Sequence, residues 1–115
     1  MGKRRSDRVL SEIPAGFRRR EEEAWTTAMI VNLSVHGFCL KTETSHRDKI
    51  QERDHIEVMV KTVEGVLGFE VRVAWVGTIG PLHCLAGGEI LNPSGEDYQR
   101  LQEIYQKLLA LQAKA

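Results

Sequence analysis

The stretch 55-HIEVMVKTVEGVLGFEVRVAW-75 settles the fold class. Ile56, Val58 and Val60 alternate with Glu57, Met59 and Lys61, the period of two expected of a strand buried on one face. Val63, Glu64 and Gly65 have the composition of a hairpin connection. Beyond them Leu67, Phe69, Val71, Val73 and Trp75 alternate with Gly68, Glu70, Arg72 and Ala74, so a second strand turns an apolar face to the same core. This parity assigns Trp75 to core packing, although its place near the strand end also brings its ring within reach of a ligand at the rim.

Outward from this hairpin the chain remains strand-like. Trp25 to Leu33 is rich in strand formers, residues 32–37 interrupt it, and Phe38 to Thr42 alternates again with Phe38 and Leu40 on one face. Arg18 to Glu23 is a solid charged run suited to a turn and its flanks, and it receives no site role. Residues 43–53 read as a loop, and so do Gly77 to Pro81. Leu82 to Leu91 is the last strand, and Gly87 with Gly88 marks a bulge or a close backbone approach. The period then changes. Ser94 with Asp97 forms a variant capping box, and Tyr98, Leu101, Ile104, Tyr105, Leu108 and Leu109 recur at helical spacing over about residues 95–111. Five or six strands and one amphipathic helix make a mainly β domain, an antiparallel barrel or sandwich with a helix packed on it.

A chain of 115 residues fits one domain and needs neither a metal nor a disulfide to be stable. Its formal net charge is zero, but the charge is unevenly placed. Lys3, Arg4, Arg5, Arg8, Arg18, Arg19 and Arg20 against Asp7 and Glu12 give residues 1–20 a net +5, and the remainder −5. The basic field that drives general nucleic-acid binding is therefore absent, and one local cationic segment stands in its place. Cys39 and Cys84 lie 45 residues apart, and neither sits in a C-x-x-C motif or a Cys/His cluster. Two reduced thiols are the expectation. His46, His55 and His83 likewise have no metal-ligand spacing. No apolar stretch approaches the ~20 residues of a membrane span, and no apolar region follows the N-terminal charges as it would in a signal peptide. A cytoplasmic location without stable membrane association is expected.

Two short motifs remain. In Lys3-Arg4-Arg5-Ser6-Asp7-Arg8, two arginines, Arg4 and Arg8, are separated by three residues. Asn32-x-Ser34-x-x-Gly37 sits at a strand-to-strand turn, with Asn32 placed 24 positions after Arg8. The ordered pair resembles the signature of the PilZ family, R-x-x-x-R followed by [D/N]-x-S-x-x-G. The likeness extends over Val73-Ala74-Trp75, the strand at Gly87-Gly88-Glu89-Ile90 and the terminal helix. The resemblance implies a six-stranded antiparallel β-barrel with a C-terminal amphipathic α-helix. It also implies a receptor for the second messenger cyclic di-GMP that catalyses nothing and needs no cofactor. Its ligand residues would be Arg4, Arg5, Arg8, Asn32, Ser34 and Gly37, with Lys3, His36 and Trp75 as further candidates. Residues 1–12 would be a basic ligand-binding tail and 13–115 the barrel with its helix.

The chemistry of these residue types agrees with that ligand. Arginine's planar fork pairs bidentately with phosphate oxygens or with guanine O6 and N7, and its face stacks on a purine. By the resemblance, Asn32 reads the Watson–Crick edge of a guanine, with an amide oxygen that accepts and an NH2 that donates. Ser34 adds a hydroxyl, and Gly37 permits positive φ or a backbone approach that no side chain would allow. Where the family often has a further arginine, this chain has Lys3, which keeps the charge and loses the fork.

An enzyme would need more than Ser34, His36 and a carboxylate such as Asp54, two of them two apart on one turn. No glycine-rich phosphate loop is present. Single-strand nucleic-acid binding would call for aromatics interleaved with basic residues on one sheet, and the aromatics here lie in apolar faces. The expectation is a receptor that passes its signal to a separate downstream protein as the tail orders on the ligand. The alternative is a PilZ-like interaction module that has lost nucleotide binding.

Overall fold

A computed structural model of the chain describes residues 8–113. Six strands follow one another: β1 (Val9–Arg19), β2 (Thr26–Leu33), β3 (Gly37–Glu43), β4 (His55–Thr62), β5 (Gly65–Ile79) and β6 (His83–Ile90). All neighbours are antiparallel, and the order β1-β2-β3-β6-β5-β4 closes on itself. Closure leaves no unpaired sheet edge. A helix, α1 (Gly95–Ala113), packs on β1 and β5, so the expected six-stranded barrel with its C-terminal helix is what the chain forms.

The 55–75 stretch supplies β4 and most of β5, paired from His55 with Arg72 to Thr62 with Gly65. Ile56, Val58, Val60, Leu67, Phe69, Val71 and Val73 are all buried, as their alternation requires. Phe17, Ile30, Leu33, Phe38 and Leu40 complete the barrel interior from β1 to β3. Phe38 meets Phe69 edge-on, with ring centroids 6.2 Å apart. Leu101 and Tyr105 bury one stripe of α1, and Tyr98, Ile104, Leu108 and Leu109 flank it. The Asp97 carboxylate, expected to box Ser94, accepts the Gly68 N–H at 2.9 Å and ties the first turn of α1 to β5.

Several boundaries move. β1 begins at Val9, which pairs with Leu33 and is 1% exposed, so residues 9–12 of the expected tail belong to the sheet. β5 runs through the expected loop at Gly77 to Ile79, because β6 pairs with it as far as His83. Within the expected loop 43–53, Thr44 to Lys49 forms a short 3-10 helix, and Ile50 is buried.

The alternation along β5 breaks at one residue. Val73 pairs with Gly88 and Trp75 with Gly87, leaving Ala74 as an extra residue in a bulge. A bulge of one residue reverses parity, so Trp75, expected in the core, lies on the outer face and is 38% exposed. Of the two readings of Gly87-Gly88, the bulge falls on the partner strand, while the close approach holds, since the Trp75 ring lies against Gly87 and the Gly88 carbonyl against Gly37. Two further irregularities, between Leu10 and Ile13 in β1 and between Ile30 and Asn32 in β2, lie in the same part of the barrel.

Candidate ligand site

The register carries one row of residues across five strands. Leu10 pairs with Asn32, Asn32 with Cys39, Cys39 with Gly87, and Gly87 with Trp75. Directly paired residues point to the same side of a sheet. Phe38 and Leu40 face the core, so Cys39 and the row it belongs to face outward. A second outward row, Met29, Lys41, Leu85 and Gly77, runs beside the first.

Between these rows lies a groove of about 480 Å³, lined by Arg8, Val31, Asn32, Cys39, Lys41, Trp75, Ile79 and Leu85. That volume falls within the ~300–1,000 Å³ usual for small-ligand sites. Cys39 points outward yet is only 2% exposed, which makes it the floor. Burial pushes its thiol pKa up, opposed by the Arg8 charge and a backbone hydrogen bond at Ala86. The Trp75 indole forms a wall, and Gly87 makes that placement possible, since a Cβ there would collide with the ring.

The two motifs meet here. The Arg8 guanidinium donates from Nη1 to Asn32 Oδ1 at 2.8 Å. An amide oxygen has two lone pairs, so Asn32 keeps one acceptor site and its NH2 for a ligand. Arg8 and Lys41 are the groove's charged residues, and no carboxylate lines it. Four other clefts on the described surface, of about 370–530 Å³, each include at least one Glu or Asp. An anion is therefore favoured in this groove over the others.

The remaining motif residues build the turn that holds Asn32. Ser34 is 7% exposed, and both its N–H (2.9 Å) and its hydroxyl (3.4 Å) donate to the Gly37 carbonyl. The His36 carbonyl accepts the Ile90 N–H at 3.0 Å, while the side chain is exposed and does not line the groove. From α1, the Tyr98 hydroxyl (3.0 Å) and the Gln102 amide (3.3 Å) both donate to the Val35 carbonyl. Gly37 does not adopt positive φ. Its Cβ position is filled by the Gly88 carbonyl oxygen, so the close approach it permits is to β6.

Of the expected site residues, the structure thus brings Arg8, Asn32 and Trp75 to one groove and sets Ser34, His36 and Gly37 in the adjoining turn. Lys3, Arg4 and Arg5 lie outside the described residues. Val31, Cys39, Lys41, Ile79 and Leu85 were not read as site residues. Cys39 and Lys41 had a signal, being the outward alternates of Phe38 and Leu40. Nothing in the pattern marked Val31, Ile79 or Leu85.

No triad forms among Ser34, His36 and Asp54. Ser34 is bonded within its turn, and Asp54 accepts from Arg19 at 3.0 Å and from the Gln51 N–H at 3.0 Å. Among the described residues no group of His, Cys, Asp and Glu is placed to hold a metal ion, and no helix is long and apolar enough to cross a membrane. Arg18 and Arg19 have structural work: Arg18 bonds Glu57 at 2.9 Å and stands 4.4 Å over the Trp25 ring.

The architecture matches solved structures closely. The PilZ domain with c-di-GMP of YcgR from Escherichia coli superposes with a TM-score of 0.78 at 17% identity, covering 97% of this chain and 95% of that one. MrkH of K. pneumonia in its apo state gives a TM-score of 0.77 at 18% identity, over 99% of this chain and 55% of MrkH. The Bacillus subtilis inhibitor of motility, MotI/DgrA, gives 0.75 at 13% identity, over 99% of this chain and 53% of that protein. The chain spans about half the length of these last two. No curated protein sequence matches it. A family model described as PilZ domain matches residues 2–107. With that match running from the N-terminal arginines through most of α1, and both parts of the arginine–asparagine signature meeting at one groove, the chain belongs to the PilZ domain family.

Proposed function

We propose that the protein is a non-catalytic cytoplasmic receptor for cyclic di-GMP, which it takes in the groove between Arg8, Asn32 and Trp75. The observation that carries this reading is the 2.8 Å bond from Arg8 to Asn32 in a groove with two cations and no carboxylate. The YcgR PilZ domain, similar over 97% of this chain, was solved with that ligand.

The division of labour follows from the side chains. Arg8 pairs with a phosphodiester or with guanine O6 and N7, and Arg4 and Arg5 supply further forks from the preceding segment. Asn32 accepts from a guanine N–H through its free lone pair and donates through its NH2. The Trp75 ring offers a face on which a guanine stacks. Ser34 and Gly37 act through the turn that fixes Asn32, and His36 stands exposed beside it. Lys3 adds charge.

The signal passes to a separate protein as residues ahead of Val9 order over the ligand. Their net-basic, apolar-poor composition supports this, because two phosphates relieve the repulsion among Lys3, Arg4, Arg5 and Arg8. Hydrogen exchange at residues 2–8 should slow markedly in the complex.

Calorimetric titration with cyclic di-GMP, cyclic di-AMP, GMP and GTP tests the reading. Cyclic di-GMP should bind preferentially, since adenine has no O6 and each arginine fork reading guanine discriminates by about 1–3 kcal/mol. Equal heats for cyclic di-AMP would refute the specificity. No heat with any of them would leave an interaction module that has lost its ligand.

A further inference from the structure

We infer that Lys41 is a second phosphate-binding residue of the groove, one side-chain row from the Arg8–Asn32 pair, and that it holds a phosphodiester of the cyclic dinucleotide. This rests on the proposed reading of the groove and adds a contact outside both motifs.

Lys41 is in β3, two residues after Cys39 and on the same outward face. Two residues along a strand span about 7 Å, so Lys41 stands one side-chain row beyond the floor. It pairs laterally with Met29 and with Leu85, and Leu85 pairs with Gly77. Lys41 is therefore the only charged residue of that row. Its ammonium has no hydrogen-bond or ion-pair partner among the described residues.

Several arginines of the barrel and helix differ in this respect. Arg18, Arg19, Arg20, Arg72 and Arg100 each face a carboxylate within 4 Å. Lys49 and Lys61 also have no ion pair, but Lys49 borders a cleft that contains Glu22 and Glu23, and Lys61 is exposed on β4. Lys41 also borders a cleft that contains Glu43, but of these three lysines it alone lines the carboxylate-free groove of Arg8 and Asn32, with a free, partly buried ammonium.

A lysine is a compact point charge with three donors and no acceptor. It cannot read a base edge as an arginine fork or an asparagine amide does, but it suits a phosphate oxygen. A cyclic dinucleotide carries two phosphodiesters on one ring. Arg8, bonded to Asn32 in the row of the Cys39 floor, and Lys41, in the next row, give each of them a cation.

The test is calorimetric titration of the whole chain with cyclic di-GMP, at two ionic strengths, for wild type, Lys41→Met, Lys41→Arg, Lys61→Met and Arg8→Ala. Lys41→Met should bind at least about fivefold more weakly, with a shallower salt dependence and an unchanged melting temperature without ligand. Lys41→Arg should retain most of the affinity, and Lys61→Met should match wild type. If Lys41→Met binds like wild type while Arg8→Ala is impaired, the groove reading stands and the role of Lys41 is refuted. Equal losses in Lys41→Met and Lys61→Met would refute it as well, by showing a general field effect. A wild-type protein that takes up no cyclic di-GMP overturns both the inference and the reading beneath it.

Discussion

The indole of Trp75 fills the space above Gly87 that a Cβ would need. The pair is registered across β5 and β6 immediately after the Ala74 bulge, so the glycine and the bulge together put an aromatic wall on the outer face. Gly87→Ala should push the ring away while leaving the barrel intact. In a Trp25→Phe background the Trp75 emission should shift to the red. Affinity for cyclic di-GMP should fall by about tenfold, within the range that loss of one base–aromatic stack produces. Unchanged emission and affinity together would show that Trp75 is no wall of the site.

Arg8 and Asn32 form an exposed pair, so neither should matter much to the fold. Arg8→Ala and Asn32→Ala should each weaken cyclic di-GMP binding by roughly tenfold to a hundredfold. The double variant should lose less than the product, because the two side chains share a contact. Melting temperatures without ligand should stay within about 4 °C of wild type. Arg20→Ala is the suitable control: its carboxylate partner Glu70 is 3.8 Å away and its side chain is 72% exposed. Arg19 would be a poor one, since it bonds both Asp54 and the Asp48 carbonyl.

Gly37→Ala should behave as a packing mutation. The new Cβ would meet the Gly88 carbonyl, a backbone atom that cannot turn aside as a side chain can. Separating β3 from β6 should cost about 1–3 kcal/mol in denaturant titration. If stability is preserved and only ligand binding is lost, the glycine serves the ligand directly.

Tyr98→Phe removes the 3.0 Å bond to the Val35 carbonyl, leaving the Gln102 amide at 3.3 Å. The expected stability loss is about 1 kcal/mol. Amide exchange of residues 34–37 should quicken, and cyclic di-GMP affinity should drop although Tyr98 does not line the groove. Wild-type exchange in that turn would mean that α1 does not brace it.

Cys39 and Cys84 are both buried, and desolvation raises both thiol pKa values above the ordinary range. Native protein should react slowly with a thiol reagent and unfolded protein should release two thiols at once. The linkage has a defined sign: a raised folded-state pKa means the unfolded chain ionises first. Stability from these thiols is therefore fully present below the unfolded-state thiol pKa of about 8.5 and falls as pH rises beyond it. Cys39→Ser should flatten part of that alkaline decline.

Five of the six strands, β2 to β6, and the helix were legible in the sequence because burial imposes a period of two or 3.6 on contiguous residues; β1 was not, its alternation being interrupted by the register shift between Leu10 and Ile13. Ile56 to Val60 and Leu67 to Val73 show this most clearly: in each, every second residue is buried. The arginine and asparagine motifs could also be read, because each is local and its side-chain chemistry is distinctive. Tertiary structure alone decided how they combine. Whether Arg8 reaches Asn32 depends on β1 pairing with β2 so that Leu10 lies opposite Asn32. Whether Trp75 faces core or groove depends on Ala74, a single extra residue whose effect on parity exists only against a partner strand. Gly37 and Gly88, 51 residues apart in sequence, explain each other only once β3 and β6 lie side by side. Alternation is a property of one strand and is written in its own residues, whereas register is a relation between two strands and is fixed only when the barrel closes.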